Sequence, residues 1–224
     1  MTHPITPTPL THVLLDLDGT LLDSAPGILA CYRLMLTELG HTPDPAQDLT
    51  HVIGPPIATI MPSVLAHYGE TRIDLAIDTY RRHYAQTGVH GAIPYKGIPE
   101  MLQALAAAGL TLHVATAKRV DYARTMLEHL GLAPHFQSIN GALPGGGLDT
   151  KTELIAHILS RQKIDSTKAA MAGDRRYDIT GAQANHLRAY AVLWGYGTRE
   201  ELEAATPTAI VTTPSHLATL LTTP

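Results

Sequence analysis

Val13-Leu14-Leu15-Asp16-Leu17-Asp18-Gly19-Thr20 is an apolar run that ends in two carboxylates and a glycine turn. Val13, Leu14, Leu15 and Leu17 suit a strand covered on both faces. Alternate residues of a strand point the same way. Asp16 and Asp18 are therefore expected to face one spot, where their repulsion costs stability unless a cation sits there. A hard divalent ion such as Mg²⁺ prefers carboxylate and carbonyl oxygen. The motif reads as a metal-assisted site at the carboxyl end of a parallel sheet, where open α/β folds place their ligands. Asp-Gly is also a common turn dipeptide, but a plain surface turn leaves the preceding apolar run unexplained.

Downstream of this run the pattern turns helical. Residues 25–39, 55–68 and 74–86 carry apolar positions at helical spacing. Gly40, Pro43, Pro45 and Gly54-Pro55-Pro56 interrupt them, and Gly88, Gly91 and Pro94 close the region. From Gly97 onward helices and strands alternate. Helices are expected at 99–108, 120–130, 152–162, 179–185, 200–205 and 216–221, and strands at 110–116, 136–140, 169–172, 189–193 and 209–211. This is the pattern of an α/β chain: a Rossmann-like parallel sheet with helices on both faces. Residues 1–21 and 92–224 are expected to form that core, and 22–91 an inserted all-helical cap. Gly145-Gly146-Gly147 lacks the spacing of a dinucleotide fingerprint and reads as a loop.

The composition narrows the function classes. The chain has 224 residues, enough for a sizeable core plus an insertion, with 45% hydrophobic and 16% charged residues. A formal net charge of −4 leaves no basic footprint, so neither nucleic acid nor an anionic membrane is an expected partner. Cys31 is the only cysteine, which excludes an intrachain disulfide and fits a reducing compartment. It lies on an apolar helical stretch and reads as a small buried hydrophobe. Residues 1–11 contain Pro4, Pro7 and Pro9 but no Lys or Arg, unlike a secretory leader, and no apolar stretch reaches membrane length. A cytoplasmic protein with a short irregular tail is expected. The 13 histidines are scattered and form no His-Glu-x-x-His zinc signature.

Further strand ends carry polar groups suited to phosphoryl chemistry. Thr116-Ala117-Lys118 closes the second core strand; its hydroxyl and the backbone N–H groups that follow suit an anion, although a plain N-cap threonine reads as well. Lys151 opens a helix, where a cation opposes the helix dipole. A nearby anion rationalises it, and a solvated surface lysine is the alternative. The strand 169–172 runs into Gly173-Asp174-Arg175-Arg176-Tyr177-Asp178. Asp174 and Asp178 are four residues apart and share one side of a helical turn; Asp178 alone also reads as an N-cap.

Carboxylate pair, hydroxyl, lysine, carboxylate pair, in that order and with a helical insert after the first, resembles the haloacid-dehalogenase-like hydrolase superfamily, specifically its capped phosphatases. The resemblance covers nearly the whole chain. Asp16, Asp18, Gly19, Thr20, Leu21 and Asp23-Ser24 match the first motif, Thr116 the second, Lys151 the third, and Gly173, Asp174 and Asp178 the fourth. Ile53-Gly54-Pro55-Pro56, the segment Asp174 to Ile179 and Trp194-Gly195-Tyr196-Gly197 look like phosphoglycolate phosphatases and related 5′-nucleotidase-like proteins. Ala117 departs from the Asn or Ser usual after the second motif, which keeps the backbone N–H but loses a side-chain contact.

The resemblance implies a phosphatase acting through an aspartyl-phosphate on a small phosphorylated metabolite, phosphoglycolate or a nucleoside monophosphate. Asp16 is then the nucleophile and Asp18 the acid and base. Thr116, Ala117 and Lys151 hold the phosphoryl oxygens. Mg²⁺ is held by Asp16, Asp18 (through its carbonyl), Asp174 and Asp178. Thr20, Arg33, Gly54 and Pro55 are candidates for substrate contact, with a solvent-exposed helix position the alternative for Arg33. A β-phosphoglucomutase-like mutase and a non-catalytic phosphometabolite binder are the alternatives to hydrolysis. Either a monomer or a homodimer is expected.

Overall fold

The computed structural model describes residues 9–47, 49–55 and 57–223. Most of the N-terminal tail, and Pro56, lie outside the described residues. The elements, in chain order, are β1 (His12–Leu15), β2 (Leu22–Asp23), α1 (Ala25–Glu38), α2 (Ile57–Ala66), α3 (Ile73–Gln86), β3 (Ile93–Pro94), α4 (Ile98–Ala107), β4 (Thr111–Arg119), α5 (Val120–His129), β5 (Ser138–Ala142), α6 (Lys151–Gln162), β6 (Ala169–Gly173), α7 (Arg176–Ala184), β7 (Arg188–Val192), α8 (Arg199–Ala204), β8 (Ala209–Val211) and α9 (Pro214–Thr222).

Six strands among the described residues form one sheet in the order β5-β4-β1-β6-β7-β8, and every pairing in it is parallel. β1 is central, and its side chains explain the apolar run. Val13 and Leu15 enter the apolar cluster that contains α4, α5 and α9. Leu14 enters the opposite one, built with α6, α7 and α8. Both faces are thus covered by helices, and each fully buried aliphatic side chain contributes about 1.5–3 kcal/mol.

Between β2 and β3 the chain is helical: α1 packs on α3, and α2 on α3. The two short strands pair antiparallel, Leu22 with Pro94 and Asp23 with Ile93, and so join the two ends of this segment. Two-residue strands leave no periodicity, so the sequence did not reveal this ribbon. Pro26 lies in the first turn of α1, where its missing N–H costs nothing. The apolar side of the segment (Tyr32, Met35, Leu36, Met61, Leu65, Tyr84) belongs to the same cluster as β1 and α5. Cys31 is buried there too. Among the described residues no helix is long and apolar enough to cross a membrane.

Three local expectations need correction. β1 ends at Leu15, so Asp16 and Asp18 lie in the loop beyond it and strand alternation does not govern where they point. β4 runs on to Arg119, through a register irregularity after Thr116, and α5 starts only at Val120. Thr116 is therefore not a helix cap. α7 begins at Arg176, so Asp178 is not the N-cap residue; it sits in the first turn, from where its Oδ2 accepts from the Arg175 N–H at 3.0 Å.

Candidate active site

The sheet order brings the polar groups together. β4 and β6 flank β1, so the chain leaves its central strand with a neighbour on either side. This is the switch point at which parallel sheets open a crevice. Asp16 follows β1, Thr116 lies in β4, and Asp174 follows β6. Thr150 caps α6 by accepting from the Glu153 N–H at 3.2 Å, which makes Lys151 the first residue of that helix.

Asp16, Asp174 and Asp178 each offer a carboxylate oxygen within 4.8 Å of the others, and all three residues are buried. The Lys151 ammonium lies 2.7 Å from Asp16 Oδ1 and 2.6 Å from Asp178 Oδ1, and donates to the Ala115 carbonyl at 2.6 Å. Lys151 is 8% exposed, so it is not a surface lysine. Burial works against its charge, but Asp16 and Asp178 outweigh that and hold its pKa above the ordinary lysine value. Burial also pushes the Asp16 carboxyl up to about 7, with Asp178 adding repulsion and Lys151 opposing. Asp174 is raised well above the usual carboxylate range, by burial and then by Asp16 and Asp178.

With all three carboxylates ionised, the buried cluster carries two formal negative charges more than Lys151 neutralises, which is why burial raises the Asp16 and Asp174 carboxyls, and its acidic donors are all oxygen. A hard divalent cation matches that charge and donor set, so the residues present fit Mg²⁺. The backbone is pressed close around them. A Cβ on Gly19 would fall 2.2 Å from Asp174 Oδ2, and one on Gly173 would fall 2.1 Å from the Asp178 carboxyl carbon. Glycine at both positions is thus a packing requirement of the acidic cluster. Gly19 also has φ +87°, which disfavours other residues.

Asp18 belongs to a different set of contacts. Its Oδ2 pairs with the Lys118 ammonium at 2.9 Å, and its Oδ1 accepts from the Ser24 hydroxyl at 2.5 Å. Lys118 also donates to the Tyr84 hydroxyl of α3 at 2.6 Å and lies 4.7 Å from that ring centroid. Asp18 and Tyr84 overcome the burial of Lys118 and keep its pKa raised. Thus Asp16 and Asp18, two residues apart, point to two separate cations.

The remaining expected residues divide. Thr116 is buried, and its Oγ1 accepts from the Lys118 N–H at 3.1 Å, within the irregular stretch of β4 that follows it; Ala117 lies in that stretch. Thr20 turns inward and donates to Asp174 Oδ1 at 3.3 Å, so its hydroxyl braces the acidic cluster. Gly54 and Pro55 sit where the helical segment approaches α7: Arg175 Nη1 donates to the Ile53 carbonyl at 2.8 Å, and its Nε to Glu201 at 3.0 Å. Pro56 lies outside the described residues. Arg33 is exposed on α1.

Sequence reasoning singled out neither Lys118 nor Arg175 as a site residue. Lys118 had a signal, a lysine two places after the second-motif hydroxyl. Arg175 had only its place beside Asp174.

A family model described as haloacid dehalogenase-like hydrolase matches residues 13–192. A protein of Pseudomonas aeruginosa named 5′-nucleotidase is 38% identical over 199 residues, covering 88% of this chain and 89% of that one. A protein of Mycobacterium tuberculosis named tyrosine-protein kinase PtkA is 37% identical over 209 residues, covering 93% and 69%. Among solved structures, one titled as a predicted phosphatase from Clostridium acetobutylicum superposes with a TM-score of 0.86 at 34% identity, covering 96% of this chain and 99% of that one.

Proposed function

The chain belongs to the haloacid dehalogenase-like hydrolase family and is a phosphatase; from that premise we propose that it hydrolyses small phosphomonoesters in a Mg²⁺-dependent reaction through an aspartyl-phosphate. Asp16, Asp174, Asp178 and the Asp18 carbonyl would hold the cation, which when bound supplies charge neutralisation for the phosphoryl group. The Asp16 carboxylate attacks phosphorus, the bond to the leaving oxygen breaks, and Asp18 gives that oxygen a proton. Asp18 then takes a proton from water, whose oxygen attacks phosphorus, releasing phosphate and restoring Asp16. The obstacle is repulsion between like charges, about 4 kcal/mol per pair at 4 Å in a medium of effective dielectric near 20. Lys151, with Thr116 and the Ala117 backbone beside it, lowers that barrier by holding the phosphoryl oxygens.

Residues 22–91 act as a cap that excludes bulk water during the first step and opens for the second. The leading substrate is a nucleoside monophosphate, because the 38% identical relative bears the name 5′-nucleotidase. Phosphoglycolate is next, from a relative of that name in Aquifex aeolicus at 28% identity.

The observation that carries this reading is the convergence of three buried carboxylates on the single ammonium of Lys151. The test is phosphate release from an aryl phosphate with and without Mg²⁺. Chelation is expected to abolish release, and Asp16→Asn to lower it at least about a thousandfold. Full turnover in that variant ends the covalent mechanism. A panel of nucleotides, phosphoglycolate and sugar phosphates ranks the substrates, and isomerisation of a sugar phosphate without phosphate release would mark a mutase.

A further inference from the structure

Among the described residues, one residue outside the four motifs touches both the acidic cluster and the entrance to the helical segment. Tyr196 lies in the loop Trp194-Gly195-Tyr196-Gly197 that follows β7. Its backbone N–H donates to Asp174 Oδ2 at 2.8 Å. Its hydroxyl accepts from the N–H groups of Ser24 and Ala25 at 2.9 and 3.0 Å and donates to Asp23 Oδ1 at 2.8 Å. These are the first residues of the path into α1. The Ser24 side chain, at the N-cap position of α1, gives no cap bond, because its hydroxyl is turned to Asp18. The Tyr196 phenol therefore takes the Ser24 N–H from 172 residues away and shares the Ala25 N–H with Asp23 Oδ1, which accepts from it at 3.1 Å.

The loop is held against Asp174 with no slack. A Cβ on Gly195 would lie 2.4 Å from Asp174 Cβ, and one on Gly197 would lie 1.8 Å from the Asp174 carbonyl oxygen. Trp194 fixes the near end by donating to the Thr20 carbonyl at 2.9 Å. The chain leaving β3 is tied in nearby: the Tyr95 N–H donates to the Leu21 carbonyl at 3.1 Å. Asp174 is thus linked through one peptide unit and one ring to residues 23–25, where the chain enters the helical segment.

The geometry points to Tyr196 as a positioning residue that couples cation loading at Asp174 to the setting of the cap hinge at residues 23–25. This rests on the reading of Asp174 as a cation ligand and of residues 22–91 as a cap. The Tyr196→Phe variant removes the hydroxyl and keeps the backbone N–H on Asp174.

The test is amide hydrogen exchange of the full chain, with and without Mg²⁺, in the parent and in Tyr196→Phe. In the parent, Mg²⁺ is expected to slow exchange in both 173–178 and 23–27. In the variant, the amide of Ser24 exchanges at least tenfold faster, that of Ala25, which keeps Asp23 as an acceptor, changes less, and neither responds to Mg²⁺, while 173–178 responds as before. Turnover falls about tenfold with Mg²⁺ affinity unchanged. A merely structural role would speed exchange throughout the chain and leave the two segments responding together. An undiminished Mg²⁺ response of 23–27 in the variant overturns the proposal. Absence of any Mg²⁺ response at 173–178 in the parent removes the cation reading, and the proposal with it, before the variant is consulted. If Tyr196→Phe fails to fold, Asp23→Asn weakens the same link from the hinge side and is read by the same exchange pattern.

Discussion

Asp18 and Asp16 are separated by one residue and by their partners. Asp16 faces Lys151 and two carboxylates; Asp18 faces Lys118 and Ser24. This division makes a prediction at the residue scale. Asp18→Asn removes a proton carrier but leaves the backbone carbonyl, so turnover should fall by about 10²- to 10⁴-fold while Mg²⁺ affinity, read by calorimetry, stays near the parent value. Equal losses in both would count against the acid and base role. Residue types and their order along the chain named Asp16, Asp18, Lys151, Asp174 and Asp178 as candidates before any coordinates. Lys118 escaped notice because a lysine near a strand end is ordinary, and only its burial beside Asp18 distinguishes it.

β1 and β4 carry a second buried polar feature at the scale of elements. His113 on β4 is fully buried, its Nε2 3.1 Å from His12 Nδ1 on β1 and its Nδ1 2.8 Å from the Ser138 hydroxyl on β5. Burial, then the neighbouring His12, lowers the His113 pKa from 6.5 to about 4. Between those values the unfolded chain binds a proton that the folded chain does not, so stability rises with pH across the window. The contribution is complete above about pH 6.5 and is lost as pH falls toward about 4. Urea titrations at a series of pH values should show this loss in the parent and a flatter profile in His113→Gln; parallel profiles would refute it. The helices and strands themselves were largely legible, because 3.6- and 2-residue periodicities are local properties. Their ends were not. Asp16 and Asp18 lie beyond the strand expected to carry them, and Thr116 lies inside β4 where a helix cap was the alternative, because the end of an element is decided by what it meets.

At the scale of the whole molecule, the helical segment is tied to the sheet by more than its two strands. Arg175 links the Ile53 carbonyl to Glu201 on α8 and so holds the turn at Gly54 over the loop that carries Asp174. A hydrogen bond from a charged group contributes about 1.5–3 kcal/mol. Arg175→Gln should therefore raise KM about tenfold or more for the best nucleotide or phosphoglycolate substrate. The effect on a small aryl phosphate, which makes few cap contacts, should be several times smaller. An identical change for both would show that the turn does not select substrate.

The sequence by itself determined the chemistry on offer and the α/β pattern, since charge, hydroxyl and apolar periodicity are written residue by residue. Tertiary structure alone decided the partnerships: Lys151 with Asp16 and Asp178, Lys118 with Asp18, Tyr196 with Asp174 and residues 23–25. Most of these pairs join positions far apart in the chain, and they meet because β4 and β6 happen to flank β1. Strand order is a global outcome of packing two apolar faces, which no local pattern encodes.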